Sequence, residues 1–312
     1  MGTSSLGRAI GLLPFLLVAM VSGCTNIDFR EPVSSYNQGM ALSGAVLAQY
    51  YSSLNDQARD TYIVSARYNE GMEILEDEDG APTGLVALIP PEAIKARLDS
   101  IGLISQFGTK LAALAGSDAP ERINTGVVTL GESYKNLASS FRDARGFGPS
   151  KTNPDYIAPV TTIIGELSKQ YKDNKRDELL GDAIKNGYPA VEAILLLIEK
   201  DIPIIHQWAV NNTSLQLSNA TTYYNDKRAT LSFEQRSALL SQISVYAKSY
   251  QDLSVNQPTN VVIAMREVNA ELLAYANNPK DENRIVRLTS AIDTFNSRVQ
   301  PIAEAILKMR AN

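Results

Sequence analysis
Apolar residues return every three or four positions from residue 36 onward, the repeat that lines one side of an α-helix. A first long helix is predicted from about Tyr36 to Leu75, with Leu42, Val46, Tyr50, Leu54, Ala58 and Tyr62 at helical spacing. It runs into Glu76-Asp77-Glu78-Asp79-Gly80. Acidic residues oppose the dipole at a helix C-terminus, so this end opens into a loop. Pro90-Pro91 restarts the chain, proline being tolerated in a first turn, and a helix runs to about Ala115. Asp118 and Glu121 have capping-box spacing and open a helix over 118–143, whose Ile123, Val127, Leu130, Tyr134, Leu137 and Phe141 form a heptad seam.

Asn153-Pro154 opens a further helix to about Asn174, and a short one is expected around 178–185. Pro189 then begins the most apolar stretch, Val191 to Ile205, which reads as the central helix of a bundle. Pro203 is expected to kink it, because proline removes a backbone bond and crowds the preceding turn. Ser232 and Gln235 repeat the capping-box spacing before Leu239, Ile243, Tyr246, Tyr250 and Leu253. After Asn256-Gln257-Pro258 the seam resumes at Val261, Met265, Val268, Leu272 and Tyr275. The last helix carries Ile285, Leu288, Ile292, Phe295, Val299, Ile302, Ile306 and Met309 in alternating steps of three and four. No stretch alternates like a strand. The pattern predicts an all-α, elongated antiparallel bundle of about seven helices with one kinked central helix.

The first two dozen residues follow another rule. Arg8 is the only charge before Asp28, and an apolar run from Ile10 to Val21 follows it. A dozen apolar residues are too few for the ~20 that cross a bilayer as a helix, and the order of basic start, apolar core and small residues is that of a signal peptide. Val21-Ser22-Gly23-Cys24 resembles the lipobox of bacterial lipoproteins. The resemblance covers residues 1–24 and implies cleavage before Cys24 and acylation of that cysteine. It divides the chain into a signal peptide over 1–23, a tether over 24–35 around Pro32, and a helical body over 36–312. An ordinary secretory signal with an unrelated cysteine is the plain alternative. Two or more acyl chains hold a protein stably on a membrane where one does not. Thr25 stands where the family often has an aspartate that retains the protein in the inner membrane, which implies the outer membrane, facing the periplasm.

Charge and composition remove several classes. With 29 basic and 34 acidic residues the chain is net acidic, which argues against nucleic acid and against electrostatic docking on anionic lipid. Cys24 is the only cysteine, so no disulfide staples the fold. His206 is the only histidine, which excludes a histidine-rich zinc site and a di-iron bundle site. An EF-hand reading of the acidic loop fails: Gly80 at position six puts Leu75 at one and Val86 at twelve, neither an oxygen ligand. No cofactor is expected, and no catalytic set.

His206, beside Trp208 and just after Pro203, reads as a packed histidine bonding a backbone group near the kink. Fourteen tyrosines against seven phenylalanines, among them Tyr50-Tyr51, Tyr223, Tyr246 and Tyr250, place rings in the seam and hydroxyls at its rim. The expected role is a membrane-anchored, non-enzymatic bundle that binds another envelope protein or acts as a scaffold. The competing reading is a small-molecule or lipid site near the kink, using His206, Trp208, Tyr223 and Tyr246. It requires a pocket of roughly 300 Å³ or more. A hydrolase with facing carboxylates is the third reading; the sequence singles out no pair.

Overall fold
The computed structural model describes residues 29–80, 82–85, 87, 89–115 and 176–311. Within them lie α1 (Arg30–Tyr68), a 3₁₀ turn (Thr83–Leu85), α2 (Pro91–Ala115), α3 (Arg176–Lys227), α4 (Phe233–Val255), α5 (Thr259–Asn277) and α6 (Glu282–Ala311). The only strand-like pairing among the described residues is one isolated bridge, Glu76 to Pro82. The helical class expected from the periodicity holds. The helices predicted over 118–143 and 154–174 lie outside the described residues, as do Cys24 and the signal peptide expected over 1–23.

Three boundaries differ from the sequence reading. The tether does not extend to residue 35: α1 begins at Arg30, and Phe29 and Val33 are buried in the core. Pro32 sits in the first turn, where its missing N–H costs nothing, so it starts the helix rather than preventing one. At its other end α1 stops at Tyr68, short of the acidic run. The short helix near 178–185 and the central helix are one element, 52 residues long, with Pro189 and Pro203 inside it. Burial of its apolar rows against neighbours on several sides outweighs the two lost backbone bonds.

Direction follows from the contacts. Asn55 of α1 meets Ile89, and Asn37 meets Thr109, so α2 runs back along α1. Side-chain bonds between α1 and α3 among the described residues join positions 150 to 156 apart in sequence, from Tyr51–Asp201 to Ser65–Asn219, so α1 and α3 are parallel. α5 and α4 lie end to end against α3: Arg266 pairs with Glu192 and Glu199, while Leu253 meets His206. Glycine permits two of the closest approaches. A Cβ on Gly44 would lie 2.6 Å from Ser105 Oγ of α2, and one on Gly39 would lie 3.0 Å from the Phe295 ring of α6.

The core is not uniform along this axis. The main cluster fills the half that holds the start of α1 and α3, with α2, α5 and α6 around them. A second, smaller cluster joins Val64, Ala220, Leu239 and Tyr246, with Tyr68, Tyr223 and Tyr224 packed on it. Among the described residues α1, α3 and α4 build it, with Leu231 of the turn before α4. At 1.5 Å per residue the 39 residues of α1 span about 58 Å between the two ends.

Candidate functional site
Most of the polar residues that the fold buries lie on α1 and α3, joined by Arg97 and Ser100 of α2 and Asn269 of α5. At the level of α2, the Arg97 guanidinium grips the Asp201 carboxylate with two bonds, Nε to Oδ2 at 2.7 Å and Nη2 to Oδ1 at 2.6 Å. Tyr51 donates its hydroxyl to the same Oδ2 at 3.1 Å, and its ring lies 5.8 Å from the guanidinium carbon. Nη1 of Arg97 is satisfied by the Ala93 carbonyl. Both side chains of the ion pair are almost wholly buried, 2% and 6% exposed. Burial pulls the guanidinium toward losing its proton, but the bonds to Asp201 outweigh it, and Arg97 is raised further above its ordinary range. Burial, then the neighbouring carboxylate, holds the Tyr51 hydroxyl well above its ordinary value.

One turn along, His206 is bonded on both ring nitrogens. Nε2 lies 3.0 Å from the Leu253 carbonyl of α4, and Nδ1 lies 3.0 Å from the Tyr50 hydroxyl. A carbonyl only accepts, so Nε2 carries the proton and Nδ1 accepts from Tyr50. Burial lowers the histidine below its usual value, against a smaller opposing effect of the Leu253 bond, and the ring is neutral near pH 7. Beyond it the Gln57 amide donates to the Ala209 carbonyl and to Thr213, Gln216 donates to Thr61, and Asn219 donates to Ser65. These pairs fix the register of α1 on α3.

The sequence-selected residues divide between places. His206 and Trp208 are two positions apart, which puts them about 200° round the helix, so they cannot face one site. His206 is buried between α1 and α4, and Trp208 is half-buried against the main cluster. Tyr223 and Tyr246 both belong to the second cluster, where the Tyr223 ring lies 5.4 Å from that of Tyr68. A pocket lined by Gln57, Asp60, Thr213, Gln216, Tyr246 and Leu253 lies between them and His206 and measures about 40 Å³. That is room for two or three waters and far below what an organic ligand needs. Gln57 Oε1, on its wall, is buried without a hydrogen-bond partner.

Sequence reasoning singled out Tyr50-Tyr51 for the seam but missed Arg97, Asp201 and Gln57. The signal was there for the first two. Arg97 falls in phase with Ala93, Ser100, Ile104 and Leu111 on α2, and Asp201 in phase with Ile194, Ile198 and Ile205 on α3. A single charge within an apolar row needs a partner of opposite sign. Among the described residues no group of three or more His, Cys, Asp or Glu side chains is placed to hold a metal ion. No helix among them is long and apolar enough to cross a membrane. No protein-family model, curated protein or solved structure matches this chain.

Proposed function
We propose that this chain is a lipoprotein of the cell envelope, anchored through acylated Cys24, whose helical body is a non-enzymatic interaction or scaffold module. The observation that supports it best is the burial of Phe29 at the very start of α1. Only residues 24–28 separate an acylated Cys24 from the body, a reach of at most ~18 Å when fully extended. The end of the bundle that holds the first turns of α1 and α3 then stands at the bilayer. The three-helix end, with its tyrosine cluster and the exposed Ile74 and Leu75 of the acidic loop, points about 58 Å away from it. Polar pairs tied up inside the seam fit a body that presents surfaces rather than a reactive cleft. A helix count of about seven, with residues 116–175 supplying the balance, belongs to the same reading, as does a bend at Pro203.

Fractionation tests the anchor. The native protein partitions with detergent and has an intact mass above that of residues 24–312 by a diacylglycerol and an acyl chain; Cys24→Ser moves it to the aqueous phase. An unmodified sulfur sinks the anchor. A photo-reactive residue at Ile74 or Leu75 tests the outward end in intact cells, and the expected product is an adduct with a second envelope protein. Absence of any adduct at both positions removes the interaction reading.

A further inference from the structure
The cavity of about 40 Å³ between α1, α3 and α4 is too small for an organic ligand, but its polar wall is one-sided. It offers mainly acceptors. Gln57 of α1 is 8% exposed, and its amide nitrogen gives its two hydrogens to the Ala209 carbonyl at 3.0 Å and to Thr213 Oγ1 at 2.8 Å. A carbonyl only accepts, so the atom facing Ala209 is the nitrogen, and Gln57 Oε1 is a buried acceptor with nothing to accept. Gln216 of α3, also 8% exposed, gives its amide nitrogen to Thr61 at 3.1 Å and keeps its carbonyl oxygen. Thr213 donates its one hydrogen to Ala209 and accepts from Gln57, which leaves it a lone pair.

Charge points the same way. Asp60 lines the cavity from its exposed side. Its chain neighbour Arg59 pairs with Asp56. Burial, then the charge of Asp56, raises the Asp60 carboxyl above its ordinary value against a smaller opposing effect of Arg59, as for a carboxylate short of counter-charge. No lysine, arginine or histidine lines the cavity. Water answers such a wall poorly. Each molecule that donates to two of these oxygens brings two lone pairs of its own, and Gln57 has no N–H left to meet them. A cation meets several oxygens at once.

We infer that this cavity is a site for a monovalent metal cation, sodium or potassium, held by Gln57 Oε1, Gln216 Oε1, Thr213 Oγ1 and the Asp60 carboxylate, with water completing its shell. The valence follows from the charge count. One carboxylate balances one positive charge, whereas calcium sites draw on several charged oxygens and magnesium demands a near-ideal octahedron. The volume admits one ion with one or two waters. Such an ion ties α1 to α3 beneath α4, whose Tyr246 and Leu253 form the third wall. These are two of only three residues that α4 buries, with Leu239, so filling the space under them firms the seat of the whole helix. The site does not depend on the lipid anchor.

Thermal unfolding of the purified full chain in sodium, potassium or choline chloride at one ionic strength tests this, choline being too large for the cavity. A cation about tenfold over its dissociation constant raises the midpoint by roughly 3 °C relative to choline, and the rise saturates. Asp60→Asn removes the rise, whereas Glu78→Gln, at an exposed carboxylate of the acidic loop, keeps it. The NMR linewidth of the cation that gives the larger rise is a readout free of unfolding: the protein broadens it, and the Asp60→Asn protein leaves it narrow. Equal midpoints in the three salts mean that water alone fills the cavity and overturn the site. A rise in calcium alone, or a rise and broadening undiminished by Asp60→Asn, overturns it as well.

Discussion
The Arg97–Asp201 pair shows how a single residue can be costly to change without being net stabilising. Two charges taken out of water recover their desolvation only through good geometry, and here the bidentate grip with Tyr51 supplies it. Removing one partner strands the other. Arg97→Met is expected to destabilise the protein by about 3–5 kcal/mol in urea denaturation. The double variant Arg97→Met/Asp201→Leu should recover most of that loss. Recovery of nothing would mean that the ion pair itself, rather than the stranded charge, carries the energy. His206 gives a prediction in pH. Its folded value is lowered by burial, and the unfolded chain takes up the proton near pH 6.5. Below that pH the unfolded state binds more protons, so the stability that the neutral ring contributes is complete above about pH 6.5 and falls away as pH drops toward the folded value. His206→Gln should flatten the fall in urea midpoint between neutral and mildly acidic buffer. These residues also mark what was legible. His206 was readable as a packed histidine held by a backbone group because two chain neighbours, Pro203 and Trp208, set its context. Its second bond, to Tyr50, joins residues 156 apart, and no local pattern announces such a contact.

At the scale of elements, periodicity served best where apolar residues alone make the seam. Val261, Met265, Val268, Leu272 and Tyr275 are all buried, and so are Leu288, Ile292, Phe295, Val299, Ile302 and Ile306. It served worse on α1. Leu42, taken as inward, is 46% exposed, while Ser43, Gly44, Gln57 and Thr61 are buried. That seam is built from small and polar residues, which a hydrophobic repeat does not register. The partners of Gln57 and Thr61 sit on a parallel helix more than a hundred residues away, and Gly44 packs against Ser105 of α2. The start of α4 was legible for a local reason. Ser232 accepts from the Gln235 N–H at 3.2 Å, and the Gln235 side chain accepts from the Ser232 N–H at 2.9 Å. Ser232→Ala should cost about 1 kcal/mol, measured as a loss in thermal or urea stability. Gly187 makes the opposite point. Alanine would favour the helix by ~1 kcal/mol, but a Cβ there would run into the buried Phe107 ring. Overpacking typically costs ~1–3 kcal/mol, so Gly187→Ala is expected to lower stability on balance. A rise would mean that the ring moves aside freely.

For the whole molecule, the division of the core into a thick half and a three-helix end sets the order of opening. Amides of α4 and the last turns of α1, which rest on the smaller cluster, should exchange hydrogen well before those of α5 and the first half of α3. Uniform protection along the rod would contradict that division. The all-α architecture was readable because nearly every segment repeats at the helical period. The parallel course of α1 and α3, and the joining of 178–185 to the central stretch, were not. Both depend on how far packing energy can override a proline and on which way a chain returns, and neither is a local property. Helix α3 has one more consequence. It passes through both halves without a break, 52 residues or about 78 Å. A bundle spliced from short pieces could telescope under load; a continuous strut cannot. On the proposed anchor at Cys24, such a strut would set a fixed distance from the bilayer. Removing two heptads in step from α1, α3 and α4 should bring whatever the outer end touches about 21 Å nearer the membrane, a change in gap width that electron tomography of the envelope would register.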